Sequence, residues 1–144
     1  MAVLFFNEDV DLPSIIVLPV KQWVETCIEN YRFEAKDINF IFVSDEYLLK
    51  LNQDYLNHDY YTDVITFDYS TSDTISGDIF ISVDTVKYNS EKYSVDFTEE
   101  IQRVIIHGVL HLLGFNDSTE QEKNQMRNLE NNSLKLLQSY NENK

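Results

Sequence analysis

The stretch Asp96 to Asp117 reads DFTEEIQRVIIHGVLHLLGFND, and it decides how the rest of the chain is arranged. Asp96, followed three residues on by Glu99, resembles a capping box with Asp in place of Ser. Ile101, Val104, Ile105, Leu110, Leu112 and Leu113 then carry a helix as far as Gly114, which offers a left-handed stop. A helix that is apolar on most of its surface has to be covered from several sides, so this one is expected at the centre of the fold.

Upstream, Ala2 to Phe6 reads as a short strand, and Lys21 to Tyr31 places Trp23, Val24, Cys27, Ile28 and Tyr31 on one helical face. Ile38 to Val43 is β-branched and aromatic and reads as a strand. Ser44 is positioned to cap a following helix with Leu48, Leu51 and Tyr55 on its apolar side. Val64 to Phe67 and Ile79 to Val83 read as two further strands joined across a Ser/Thr/Asp/Gly-rich turn. Downstream, Ser118 with Gln121 signals the start of a last helix, whose buried stripe would be Met126, Leu129, Leu136 and Leu137. The expectation is an α+β (α/β layered) fold: about four strands in a mixed sheet packed with helices, around the histidine-bearing helix. No linker or repeat divides the sequence, so one domain spanning residues 1–144 is expected.

Composition narrows the chemistry. The 144 residues include 25 acidic and 11 basic side chains, a formal charge of −14, and a 43% apolar fraction that suits a folded chain. Gly77, Gly108 and Gly114 are the only glycines, which excludes the two Gly-rich phosphate loops of nucleotide-binding folds. With Cys27 as the lone cysteine, a disulfide framework or a multi-cysteine metal site is excluded as well. The start lacks a basic leader, and the longest apolar run, Ile15 to Val20, is too short to span a bilayer, so a cytoplasmic location is expected. The acidity opposes a broad nucleic-acid surface, and no Lys or Arg occurs between Lys50 and Lys87.

His107 and His111 leave the same helical face one turn apart, near enough to share a metal ion. Beyond Gly114 the chain can turn back to offer Asp117, completing H-x3-H-x5-D. Two imidazoles and a carboxylate suit Zn²⁺ and leave a fourth position open for water, whose pKa the metal lowers towards about 7. Histidines on a helix can also be packing or capping residues, with Asp117 a loop acid. A metalloprotease helix would carry glutamate after its first histidine, where this chain has Gly108. An Fe(II) oxygenase can use the same ligand types, but usually from the strands of a β-barrel.

The block HGVLHLLGFND, His107 to Asp117, closely resembles the YbeY-family signature H-G-x-L-H-L-x-G-[YF]-D-H. Leu51-Asn52 with Tyr55, then Thr62-Asp63-Val64-Ile65-Thr66-Phe67 and Gly77-Asp78-Ile79-Phe80-Ile81-Ser82, are similar to the family's other blocks. The resemblance implies a single-strand-specific endoribonuclease acting in late ribosome maturation, in 16S rRNA 3′ end processing and in ribosome quality control. It implies one Zn²⁺ per chain on His107, His111 and Asp117, the last in place of the family's third histidine. Single-stranded and ribosomal RNA, the ribosomal subunit or ribosome-associated proteins are the implied partners, with neither DNA nor membrane. The family carries an arginine directly after the aromatic residue of its L-N-x-x-[YF] block, where this chain has Leu56. His58, two residues on, is the remaining histidine and a candidate cation or proton donor. Tyr55, Tyr60 and Tyr61 are candidates for stacking unpaired bases. Thr62-Asp63 and Gly77-Asp78 are expected to shape the cleft wall. Two alternatives stand beside this reading: a zinc-containing assembly factor with little nuclease activity, and a metal-dependent hydrolase of small molecules or peptides.

Overall fold

The computed structural model describes residues 2–14, 17–57 and 62–142. Its elements run β1 (Val3–Asn7), α1 (Val17–Asn30), β2 (Glu34–Val43), α2 (Asp45–Leu56), β3 (Val64–Asp68), β4 (Thr74–Ser82), α3 (Val83–Lys92), α4 (Phe97–Leu112) and α5 (Glu120–Glu142). The strands form one mixed sheet in the order β1-β2-β4-β3, with β1, β2 and β4 parallel and β3 antiparallel to β4. This is the α+β architecture expected from the sequence. Among the described residues, no helix is long and apolar enough to cross a membrane.

The period-2 burial of β4 explains the layering. Ile75, Ile79 and Ile81 point to one face and join a core with Trp23 and Ile28 of α1, Ile105 and Leu110 of α4, and Met126 of α5. The opposite face gathers Ile41, Val43 and Ile65 under Leu48 of α2. Each fully buried aliphatic or aromatic side chain contributes about 1.5–3 kcal/mol of transfer free energy, so the larger cluster carries most of the stability. Helix α4 packs against α1, α3, α5, β3 and β4, the central position its apolar surface requires.

Its C-terminus is a Schellman stop. Gly114 takes φ +102°, Gly114 N–H donates to the His111 carbonyl at 3.0 Å, and Phe115 N–H donates to the Leu110 carbonyl at 3.0 Å. At its other end Asp96 is the N-cap residue, but its side chain makes no capping hydrogen bond, contrary to the capping-box expectation. The last helix does have a capping box, one residue later than expected. Thr119 N–H donates to Glu122 Oε1 at 3.0 Å and Glu122 N–H to Thr119 Oγ1 at 3.1 Å, so Thr119 and Glu122 take the roles assigned to Ser118 and Gln121.

Four other features differ from the sequence expectation. Strand β4 starts at Thr74 and stops at Ser82, so Gly77 lies inside the strand and Val83 opens α3. Helix α3 was not expected: Val83 and Val86 are its only aliphatic residues, against four leucines in α2, so it offers too few apolar positions to mark a helical face. Tyr55 stands off the core at 68% exposure, touching Phe67 edge-on at 6.0 Å between ring centroids. The α5 stripe also includes Leu134, buried with Met126 and Leu137, while Leu129 and Leu136 are only partly covered.

Two glycines set the spacing beneath the central helix. A Cβ at Gly108 would lie 2.8 Å from Ile79 Cγ2, and one at Gly77 would collide with the Phe67 backbone carbonyl. The buried Ile79 side chain can lean away only at a cost in packing, but a paired strand backbone cannot move without losing ladder bonds. Gly108→Ala also gains about 1 kcal/mol of helix propensity. Gly77→Ala should therefore cost about 2–4 kcal/mol and Gly108→Ala about 0–2 kcal/mol, measured as shifts in denaturation midpoint at constant m-value. Equal losses at the two positions would contradict this difference in obstacle.

Candidate metal centre

Helix α4 delivers His107 and His111 from successive turns of one face, and the Schellman stop at Gly114 redirects the chain so that Asp117 returns to them. His107 Nε2 and His111 Nε2 lie 3.0 Å apart, and Asp117 Oδ2 lies 3.4 Å from the first and 3.5 Å from the second. Three ligands at zinc bond lengths on one face of a tetrahedron would be separated by about 3.4 Å, so the triangle has the size a single ion requires. Among the described residues, this is the group of three or more His, Cys, Asp or Glu side chains arranged to hold a metal ion.

A side chain that the sequence reading missed fixes the first ligand. Glu130 of α5 is buried, and its Oε2 lies 2.7 Å from His107 Nδ1. With the Nδ1 proton directed to that carboxylate, the neutral ring presents the lone pair of Nε2 to the centre of the triangle. Glu130 is itself held from the other side by Arg103 Nη1, donating at 3.0 Å, while Arg103 Nη2 donates to Asn131 at 2.9 Å. The missed signal was an acid at helical spacing inside an apolar stripe: Glu130 falls four residues after Met126 and four before Leu134.

Electrostatics separates the two rings. Burial pushes His107 down, but the Glu130 hydrogen bond and the charges of Glu130, Asp63 and Asp117 outweigh it and raise its pKa above the ordinary value. His111 is lowered, first by burial and then by the neighbouring His107, against the opposing pull of Asp117. Burial also works against the ionised form of Glu130, yet its bonds to His107 and Arg103 prevail and lower its pKa. Without a metal, the first proton therefore goes to His107, paired with Glu130. Two lone-pair nitrogens and a carboxylate converging within hydrogen-bonding range make a site that favours a cation, whether proton or metal.

The triangle sits in the wall of a cavity of about 320 Å³ bordered by Asn52 and Leu56 of α2 and by residues 62–66 leading into β3. A neighbouring cavity of about 360 Å³, bordered by Asn89, Tyr93, Glu100 and Arg127, shares His107 and Asp63 with it. Asp63 thus lies between the two, as the cleft wall expected for Thr62-Asp63. Asp78 is placed otherwise: it accepts from Asn39 Nδ2 at 3.0 Å across the β2–β4 pair and serves the sheet. Tyr55 borders neither cavity, while Leu56 does. His58, Tyr60 and Tyr61 lie outside the described residues.

Comparison with known proteins gives these features a context. A family model described as endoribonuclease YbeY matches residues 7–138. A Parabacteroides distasonis protein named endoribonuclease YbeY is 47% identical over 137 residues, covering 95% of this chain and 96% of its own. One of the same name from Azobacteroides pseudotrichonymphae is 49% identical over 139 residues, covering 96% and 100%. The solution structure of a Thermotoga maritima protein shares the fold at TM-score 0.65 and 24% identity, covering 95% of this chain and 92% of that one.

Removing one ligand in His107→Ala, His111→Ala or Asp117→Ala should abolish stoichiometric Zn²⁺ uptake in a calorimetric titration. Glu130→Gln keeps all three ligands but loses the negative partner of His107, so affinity should fall by about 10–100-fold. Because the ligands must be deprotonated, affinity should also fall as the pH drops through the raised pKa of His107. Unchanged affinity in Glu130→Gln would remove the carboxylate from the site.

Proposed function

The chain belongs to the endoribonuclease YbeY family, and on that premise we propose that it is a zinc-dependent, single-strand-specific endoribonuclease. The observation that carries this reading is the convergence of His107 Nε2, His111 Nε2 and Asp117 Oδ2 in the wall of an open cleft, with Glu130 orienting the first ligand. When bound, Zn²⁺ supplies Lewis-acid polarisation of a phosphoryl oxygen and lowers the pKa of a bound water. The protein's part is positional. Glu130 fixes the tautomer and rotation of His107, and the Schellman turn sets the reach of Asp117. Arg103 neutralises the buried carboxylate that would otherwise repel a phosphodiester.

The cleft wall is suited to a flexible strand. Leu56 and Val64 give it an apolar patch, and Thr62 and Thr66 give it neutral hydrogen-bonding groups. Such a surface accommodates splayed, unpaired nucleotides rather than a rigid duplex. His58 as proton donor and Tyr55, Tyr60 and Tyr61 as stacking residues complete the proposed site, with Tyr55 reaching only substrate outside the cleft. The biological setting we propose is cytoplasmic, with 16S rRNA 3′ end processing in late ribosome maturation and ribosome quality control as the tasks. The matched residues 7–138 support one domain across residues 1–144.

A second reading is favoured by Leu56 bordering the cleft and by the charge of −14, both of which weaken its hold on phosphate. Under it, the chain keeps the metal and the fold but acts as a ribosome assembly factor. One assay separates the two: quantify zinc in the purified protein, then compare cleavage of single-stranded ribosomal RNA by wild type and by His111→Ala. The nuclease reading predicts about one zinc per chain and a loss of at least about 100-fold in rate for the variant, as expected when a metal centre is disassembled. Equal cleavage by both proteins would identify a contaminant. Zinc without cleavage would favour the assembly factor.

A further inference from the structure

Basic side chains are distributed unevenly around the metal centre. Residues 51 to 86, which supply the α2 and β3 wall of the cleft, contain no Lys or Arg. Helix α5, on the other side of His107, is different. Lys123 and Arg127, one helical turn apart, border a cavity of about 230 Å³ together with His107 and Asp117. Arg127 also borders the cavity of about 360 Å³ that lies beside Asp63. It therefore stands on the ridge between the two spaces.

These two cations remain available to a ligand, unlike Arg103. The Arg103 side chain is 17% exposed, and its guanidinium is held by Glu130 and Asn131. The Arg127 side chain is 62% exposed, and its ion pair with Glu130 is a loose 3.8 Å. Lys123 is exposed and makes no ion pair among the described residues. Spaced i, i+4, the two heads share one face of α5. An arginine fork and a mobile ammonium on one face can together clasp a phosphodiester, the fork bidentately and the ammonium as a point charge.

We propose that Lys123 and Arg127 form a phosphate subsite of the metal cleft, binding a backbone phosphodiester that flanks the scissile one in single-stranded RNA. The proposal rests on the reading that the cleft receives RNA, and it gives the strand a direction. The strand leaves the metal centre across the N-terminal half of α5, the side on which its charge is met, and only neutral or acidic groups contact it along α2 and β3. Docking on this subsite holds the neighbouring phosphate at His107 and Asp117, so these are positioning residues. Their loss should raise KM more than it lowers kcat.

The test compares wild type, Lys123→Gln, Arg127→Gln, the double variant and Lys36→Gln, a cation that borders none of the cavities sharing His107. A fluorescent single-stranded oligoribonucleotide is followed both for cleavage and for binding by anisotropy, over a series of KCl concentrations. The double variant should keep the wild-type zinc content and thermal midpoint. Its KM should rise by about tenfold, and the slope of log affinity against log salt should flatten by about 0.7, the value for one lost phosphate contact on a single strand. Each single variant should give about half that change in slope, and Lys36→Gln should match wild type. A double variant with the wild-type KM and salt slope would overturn the subsite. If wild type binds the oligonucleotide but never cuts it, the nuclease reading fails, while the anisotropy slopes still decide where the phosphate sits.

Discussion

Helix α4 lies as close to the sheet as it does because position 108 carries no side chain. The space that a Cβ would occupy is already filled by Ile79 Cγ2 at 2.8 Å, so helix and strand are in contact to the limit of packing. That approach sets the height of His107 and His111 above the sheet, since Gly108 lies between them on the same helix. It also buries Ile105, Ile106, Val109 and Leu110 completely, which leaves the helix no freedom to roll. Two of the three candidate ligands are thus carried by a tightly packed helix, as a preorganised site requires.

The remaining parts of the site depend on that placement. The Schellman turn at Gly114 converts the end of the helix into a return path, without which Asp117 would continue away from the histidines. Helix α5 then docks through Met126, Leu134 and Leu137, and it is tied to α1 where Trp23 Nε1 donates to the Ser133 carbonyl at 2.6 Å. This docking places Glu130 behind His107 and leaves Lys123 and Arg127 at the rim. One helix therefore supplies the buried acid that sharpens the metal ligand and the exposed cations that face its surroundings.

Much of this was legible in the sequence because the decisive elements are strongly patterned. The apolar run of α4, the glycine after it and the histidine spacing each obey a local rule, and local rules survive folding. What escaped notice was set by tertiary contact. Helix α3 carries too few aliphatic residues to mark a helical face. Ser118 and Thr119 are adjacent hydroxyls, each three residues before a usable partner, so only the turn leading into α5 could choose between them. Asp96 has the right identity and position for a cap, yet its side chain does not bond. Glu130 belongs to the site through a residue 23 positions away, and its one local trace was a carboxylate where the stripe called for an apolar residue.

The net charge of −14 is compatible with an anionic substrate because of where the charges lie: Glu130 is neutralised by Arg103, and the exposed cations beside His107 and Asp117 gather on one helix. On the proposed reading, catalysis belongs to the His107–His111–Asp117 centre. It is tested most directly by stripping the purified protein with a chelator, confirming the loss of metal, and restoring Zn²⁺ in increments while single-stranded RNA cleavage is measured. The prediction is that cleavage disappears with the metal and returns linearly, saturating at about one Zn²⁺ per chain, as a single three-ligand site requires. Full cleavage by the metal-free protein would contradict it.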